Sequence, residues 1–220
     1  MHRLMSAPVC RLELKSAALG GRAILGEIDL SLAAGETLAV TGRSGVGKST
    51  LLRILAGLET GFRGRLTCSG TVAMVFQEPT LLRWRRVAEN LMLTARISRD
   101  AALDALAEVG LDGLEERYPD QLSLGQQRRL SLARAFAREP DLLLLDEPFV
   151  SLDPATADDM MRLFARLRTR RRVASVLVTH VEEEAEKLAS RIVHLAGAPA
   201  RIAAERRNRA TYVHLATVPR

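Results

Sequence analysis

The sequence predicts an α/β protein: a largely parallel sheet covered by helices on both faces, antiparallel strands towards its N-terminal end, and a helical insertion in the middle. Three observations carry this. From about residue 140 strands and helices alternate, and the strands "DLLLLDEP" and "RVASVLVTH" are apolar through most of their length, as strands buried on both faces are. The first forty residues instead alternate apolar and polar side chains, the period-two pattern of strands with one buried face. Residues 78–139 have neither pattern and read as helices separated by short breaks.

Taken in order, "VCRLELKSA", "AILGEIDLSL" and "ETLAVTG" read as three strands divided by Gly-Gly and Ala-Gly turns. "KSTLLRILAGL" has helical periodicity and closes at Gly57. "GRLTCSG" and "TVAMVFQ" are two further strands. The segment from "RVAENLMLTARISRDAALDALAEVG" to "RRLSLARAFAREP" is helical, with breaks near Ser98, Gly110 to Gly113 and Tyr118-Pro119. "DLLLLDEP", "PATADDMMRLFARLRTR", "RVASVLVTH", "EEEAEKLAS" and "RIVHLAG" then alternate strand and helix. The expected division is one domain, with residues 1–77 and 140–220 forming an α/β core and 78–139 a helical subdomain inserted into it.

Composition narrows the function. A chain of 220 residues, 47% hydrophobic and 26% charged, is long enough to bury a core and suits one compact unit. No apolar run approaches the roughly 18 residues that span a bilayer, and "MHRLMSAPVCRLELKS" has no apolar signal core, so a cytoplasmic location is expected. Cys10 and Cys68 have no metal-ligand spacing and read as separate reduced thiols, small buried fillers. The net charge of +6 comes with arginine clusters in "LRWRRVAEN", "RLRTRRRVAS" and "RIAAERRNR". None is interleaved with the aromatics of a single-strand binding face, so no nucleic-acid partner is expected. Solvated helix faces and a basic tail account for them.

Gly42, Gly47, Lys48 and Ser49 complete the pattern G-x-x-x-x-G-K-[ST] between a strand and a helix. Across Gly42, Arg43, Ser44, Gly45, Val46, Gly47, Lys48, Ser49 and Thr50, backbone N–H groups can curl around phosphate oxygens, and the helix N-terminus adds partial positive charge. Lys48 can reach the β- and γ-phosphates, the Ser49 hydroxyl a Mg²⁺ ion, and Thr50 the α-phosphate. The core is therefore expected to be a P-loop NTPase of the RecA-like kind. Asp146 emerges at the C-terminal end of an apolar strand, where α/β sheets place ligands, and can hold Mg²⁺ through water. Glu147, one residue on, can act as general base toward an attacking water.

"LSLGQ" opens another helix with a serine and a glycine, a second anion site of the same physical kind. Ser123 can hydrogen-bond a phosphate oxygen, and Gly125 allows close backbone approach beside Gln126. One phosphate loop already surrounds one side of its nucleotide. A second phosphate-binding helix end is useful chiefly to a nucleotide held by another copy, which predicts a head-to-tail pair with two nucleotides between subunits.

"GRSGVGKST", "VFQEP", "LSLGQQ", "LLLLDEP", "SLD" and "VTH" occur in an order and spacing that resembles the ATP-binding cassette ATPases over nearly the whole chain. The resemblance implies ATP hydrolysis with Mg²⁺ and makes "LSLGQ" the signature motif facing the partner's nucleotide. It makes Gln77 the residue sensing Mg²⁺ and water, Asp153 the carboxylate communicating across the dimer, and His180 the switch touching the γ-phosphate and Glu147. Each has a plainer alternative: Gln77 a strand-end cap, Asp153 an N-cap before Pro154, His180 a satisfied histidine at a strand end.

"VFQEPTLLRWRRVAENL", "DEPFVSLD" and "RIVHLAGAPARI" further resemble importer ATPases of the nitrate, sulfonate and taurine class. This implies an ATPase subunit on the inner face of the cell membrane, driving separate transmembrane permease subunits and, through them, served by a solute-binding protein. Leu81, Leu82 and Trp84 form a candidate docking patch, with packing inside the helical subdomain as the alternative. A soluble ATPase acting on non-transport complexes, or a regulatory nucleotide-binding module, are the rival functions. Three residues depart from the family pattern. Leu124 replaces a signature glycine, Leu19 an adenine-stacking aromatic ring, and Val181 an acidic residue after the switch histidine.

Overall fold

The computed structural model describes residues 7–209. The segments 1–6 and 210–220 lie outside the described residues, and with them the first six residues of "MHRLMSAPVCRLELKS", read above for a signal core. Among the described residues, ten strands and six α-helices run in the order β1 (Cys10–Leu19), β2 (Arg22–Leu25), β3 (Ile28–Leu32), β4 (Thr37–Thr41), α1 (Lys48–Leu55), β5 (Phe62–Cys68), β6 (Val72–Val75), α2 (Val87–Ala95), α3 (Arg99–Glu108), α4 (Leu124–Phe136), β7 (Leu142–Asp146), α5 (Pro154–Arg171), β8 (Ala174–Val178), α6 (Glu182–Leu188), β9 (Arg191–Gly197) and β10 (Ala200–Arg207).

The expected α/β architecture holds. Strands β9, β4, β8, β7 and β6 are adjacent and mutually parallel, so their C-terminal ends share one edge of the sheet. On β7, Leu142 and Leu144 enter the core formed with α1, while Leu143 and Leu145 enter the core formed with α2 to α5. An all-leucine strand is what a sheet layer with helices on both faces requires. The N-terminal strands are antiparallel: β1 pairs with β2, β3 and β5, and its burial alternates along Cys10 to Leu14 as period-two patterning demands.

Three expectations are corrected, and one left open is decided. "AILGEIDLSL" is two strands, not one, because the chain leaves the ladder at Gly26 and Glu27 and the two halves pair with different parts of β1. "ARIAAERR" is β10, hydrogen-bonded to β9, rather than basic tail; its side chains are mostly exposed, so no apolar periodicity marks it. Cys10 and Cys68 are not free thiols: they stand opposite one another in the β1–β5 ladder and are joined by a disulfide. They lie 58 residues apart in sequence, and only strand pairing brings them together. Leu81 packs in the helical core, leaving Leu82 half-buried and Trp84 as the exposed member of that trio, 72% accessible.

The helices fall where capping chemistry sets them. Ser98 caps α3 by accepting from the Ala101 N–H, and Ser123 opens α4 with a capping box in which Gln126 reaches back to the Ser123 N–H. The stretch entering α2 is tied down by Asn90, which is fully buried. Its side-chain oxygen accepts from Leu82 N–H at 2.8 Å, and its Nδ2 donates to the carbonyls of Leu82, Arg85 and Arg86 at 3.1, 3.2 and 3.0 Å. One amide thus supplies the hydrogen bonds a ladder would otherwise provide. Replacing it with an apolar residue of similar size leaves buried backbone groups unpaired, so Asn90→Leu is expected to lower unfolding free energy by about 2–4 kcal/mol. Urea denaturation measures this; an unchanged midpoint would mean water satisfies the loop.

Candidate active site

The site forms where parallel strands end together. β4 runs into the phosphate loop, β7 ends at Asp146, β8 leads to Thr179 and His180, and β6 leads to Gln77. Two glycines of the loop are required by their surroundings. A side chain at Gly42 would meet the Leu195 carbonyl oxygen at 2.6 Å, and one at Gly47, whose φ is +113°, would meet Leu25 at 2.7 Å. The loop is therefore pressed between β9 and the antiparallel strands.

Lys48, the first residue of α1, is buried with its ammonium inside the loop, donating to the carbonyls of Gly42 and Arg43 at 2.9 and 3.0 Å. Ser49 donates its hydroxyl to Asp146 Oδ1 at 3.0 Å. Burial pushes the Asp146 carboxyl above the usual carboxylate range and neighbouring Glu147 adds to this, while the Ser49 hydrogen bond and Lys48 oppose it. Glu147 adopts a positive φ of 44° and donates its N–H to the Val178 carbonyl, which turns its side chain toward the next strand end. There Glu147 Oε2 lies 3.2 Å from His180 Nδ1.

A cleft of about 750 Å³ opens beside these groups, lined among others by Gly42, Arg43, Ser44, Glu147, His180 and His194. Gly45 and Val46 continue the loop and Thr50 lies in the first turn of α1. The structure therefore gathers the phosphate loop, Asp146, Glu147 and His180 at one place. The other sequence-predicted residues do not line that cleft. Ser123, Gly125 and Gln126 start α4 and line no part of that cleft. Asp153 is exposed and caps α5, accepting from Thr156 N–H at 3.0 Å, which holds its carboxyl below the usual range. Gln77 sits in an exposed bend after β6, its carbonyl accepting from the guanidinium of Arg128.

The family model described as ABC transporter matches residues 25–150, more than half of the chain. The chain belongs to the ABC transporter family. Its relatives include an aliphatic sulfonates import ATP-binding protein of Granulibacter bethesdensis, 46% identical over 92% of this chain and 85% of the relative. A similar protein of Frankia alni is 48% identical over 81% of this chain and 73% of its own length. Among solved structures, a dimeric ATP-binding cassette in a post-hydrolysis state bound to ADP and Pi superposes with a TM-score of 0.80 at 27% identity. That match covers 91% of this chain and 99% of the other. Among the described residues of this ABC protein, no group of three or more histidine, cysteine or carboxylate side chains stands together as a metal cluster.

Motif reading missed Glu184. This carboxylate is buried on the inner face of α6 and accepts from Thr179 Oγ1 at 2.5 Å, while Thr179 Oγ1 accepts from Val181 N–H at 3.0 Å. The two bonds fix the turn carrying His180. The i, i+4 spacing of Glu184 and Leu188 on one helix face is the signal that marks it. Burial raises the Glu184 pKa above its ordinary 4.5, and nearby Glu147 and Glu183 add to this, against the Thr179 hydrogen bond and His180. The folded state then holds this proton more tightly than the unfolded chain. Its ionisation costs stability progressively as pH rises from the ordinary pKa through the raised one. Glu184→Gln retains an acceptor for Thr179 and cannot ionise. The Tm of the variant relative to the parent is therefore expected to increase with pH across that window. A Tm difference that is independent of pH would refute the assignment.

Proposed function

We propose that the chain is the ATP-binding and hydrolysing subunit of a membrane importer, working as a head-to-tail pair with two ATP molecules at the interface. The observation that carries this is the Ser49–Asp146 and Glu147–His180 pairing on neighbouring strand ends beside a buried P-loop lysine. Family membership and dimeric solved cassettes support it.

In this reading, the loop from Gly42 to Thr50 cradles the phosphates, and Lys48 turns its ammonium from loop carbonyls to β- and γ-phosphate oxygens. Glu147 accepts the proton of a water whose oxygen attacks the γ-phosphorus as the bond to ADP oxygen breaks. His180 holds the Glu147 carboxylate and reaches the γ-phosphate, and Gln77 orients the water. The adjacent hard oxygen donors of Ser49 and Asp146 suit Mg²⁺, which when bound supplies charge neutralisation at the phosphates, with Gln77 near it. Ser123, Gly125 and Gln126 complete the site of the other copy, and Asp153 lies on the same interface. This accounts for a helix end capped and exposed yet outside its own chain's cleft.

The helical segment 78–139 works as a unit that carries the signature end. Hydrolysis opens the pair because ATP, unlike ADP, binds the closed pair more tightly than the open one. No helix among the described residues is long and apolar enough to cross a membrane. The subunit sits on the inner membrane face and acts through permease subunits, with Trp84 as the exposed apolar contact. The names of its relatives favour an organic sulfonate as cargo, delivered by a solute-binding protein.

Glu147→Gln removes the base and keeps the acceptor geometry. Turnover is expected to fall by about a hundredfold or more, and size-exclusion with ATP and Mg²⁺ should show a stable dimer. A variant that binds ATP and stays monomeric would sink the paired site. Leu124 is the first residue of α4 and partly exposed, beside the Ser123 cap. An isobutyl group there obstructs approach of backbone donors to a partner's phosphate. Leu124→Gly is therefore expected to raise ATP turnover severalfold at saturating ATP. A slower variant would place this leucine in a productive interface.

A further inference from the structure

Helix α4 reaches into the rest of the molecule through arginines, and one of them is unlike the others. Arg129 donates to the Val109 carbonyl, and Arg134 to the carbonyl and hydroxyl of Thr80, so each ties down one segment. Arg128 joins two. Its Nη1 donates to the carbonyls of Gln77 and, at 3.4 Å, Phe76, and its Nη2 to the Val150 carbonyl at 3.4 Å. Val150 in turn donates its N–H to the Glu147 carbonyl at 3.3 Å. One planar fork thus spans the bend after β6 and the turn after β7, from the second turn of the helix opened by Ser123.

We propose that Arg128 is a positioning residue that sets Gln77 and Glu147 relative to the signature end of α4, so that engagement of that end by a nucleotide is transmitted to the hydrolytic groups. The proposal rests on the ATPase reading above. Arg128 is 4% exposed and forms no ion pair among the described residues, so carbonyl dipoles, with the field of Glu78, are what offset its buried charge. Burial accordingly lowers its pKa, with Glu78 acting the other way. An apolar residue would fill a helix–sheet contact at smaller cost. What an apolar residue, or a lysine with its single point charge, does not do is hold carbonyls of two separate loops in one plane. The joined segments are those that carry the proposed water-orienting and proton-accepting groups, which makes the fork a mechanical link and not only a fastener.

The test compares the full-length parent with Arg128→Lys, Arg128→Gln, Arg129→Lys and Lys48→Ala. Steady-state ATP hydrolysis, equilibrium binding of a fluorescent ATP analogue and Tm are measured for each. Losing one charged hydrogen bond to a loop corresponds to about tenfold or more. Arg128→Lys and Arg128→Gln should lose about that much in kcat. Their ATP affinity should stay close to the parent's and their Tm should fall by no more than a few degrees, and Arg129→Lys should hydrolyse like the parent. Unchanged kcat in both Arg128 variants overturns the proposal, as does a loss that Tm and ATP affinity share in proportion, or failure of both variants to fold. The ATPase reading is judged separately. It falls if Lys48→Ala hydrolyses ATP as fast as the parent, whereas an inactive Lys48→Ala beside fully active Arg128 variants removes the coupling alone.

Discussion

The hydrogen bond from Ser49 to Asp146 depends on a constraint that the rest of the structure serves: a carboxylate and a phosphate loop must meet at the same edge of a sheet with little water between them. Neither group can approach the other unless β4 and β7 run parallel with β8 between them, since parallel order alone places their C-terminal ends together. Parallel order in turn needs long crossovers, and α1, the helical segment and α5 provide them. Burial of the strands on both faces follows, and with it the all-leucine β7. The raised pKa of Asp146 is the electrostatic trace of this arrangement: the fold holds a carboxylate where its charge is unfavourable alone and useful beside a cation.

Sequence made the centre of the site legible because its chemistry is local. Glycines, lysine and serine of the phosphate loop act within one turn, and Asp146 and Glu147 announce themselves by following four buried leucines. Other parts depend on contacts distant in sequence and left no such sign. The Cys10–Cys68 bridge becomes visible only in the β1–β5 ladder. β10 hid because nearly all of its side chains are exposed, so neither alternation nor an apolar run marks it. A stretch dense with arginine left Leu81 undecided between docking patch and core; it packs in the core while Trp84 does not. Arg128 and Glu184 were masked by residue type, since charged residues are seldom expected on buried helix faces. Their spacing from Leu132 and Leu188, four residues on, carried the information that their charge concealed.

The plainer alternative holds at Asp153, and Ser123 is a cap of the same kind. Asp153 does cap α5, and Ser123 does cap α4. A cap orients a short polar side chain at a helix end that still has unpaired N–H groups, and an anion-binding end needs the same geometry. Capping by the neutral Ser123 hydroxyl therefore presets the start of α4 without consuming it, whereas at α5 the Asp153 carboxylate itself supplies the anion. The contact between a side chain built on Gly125 and Thr156, at 3.1 Å, shows that the starts of α4 and α5 pack closely, which sets the two capped ends side by side.

Some arginines of each cluster, finally, find partners inside the molecule. Arg86 and Arg99 converge on Glu116, which holds that carboxyl below its usual range. Arg171 pairs with Glu108 at 2.7 Å, and Arg166 donates to the Glu108 carbonyl at 3.1 Å, fastening the end of α3 to α5. Arg168, nearly buried, donates to the Gly35 carbonyl at 2.9 Å and ties α5 to the turn before β4. Exposed pairs of this kind add little stability each. The buried guanidinium groups are different in kind, because each exchanges hydration for carbonyls on a segment far away in sequence. A chain whose helices are joined by such forks can move as blocks, with bends at the loops between them. That is the mechanical property a subunit needs if closing around a nucleotide is to be felt at a membrane partner.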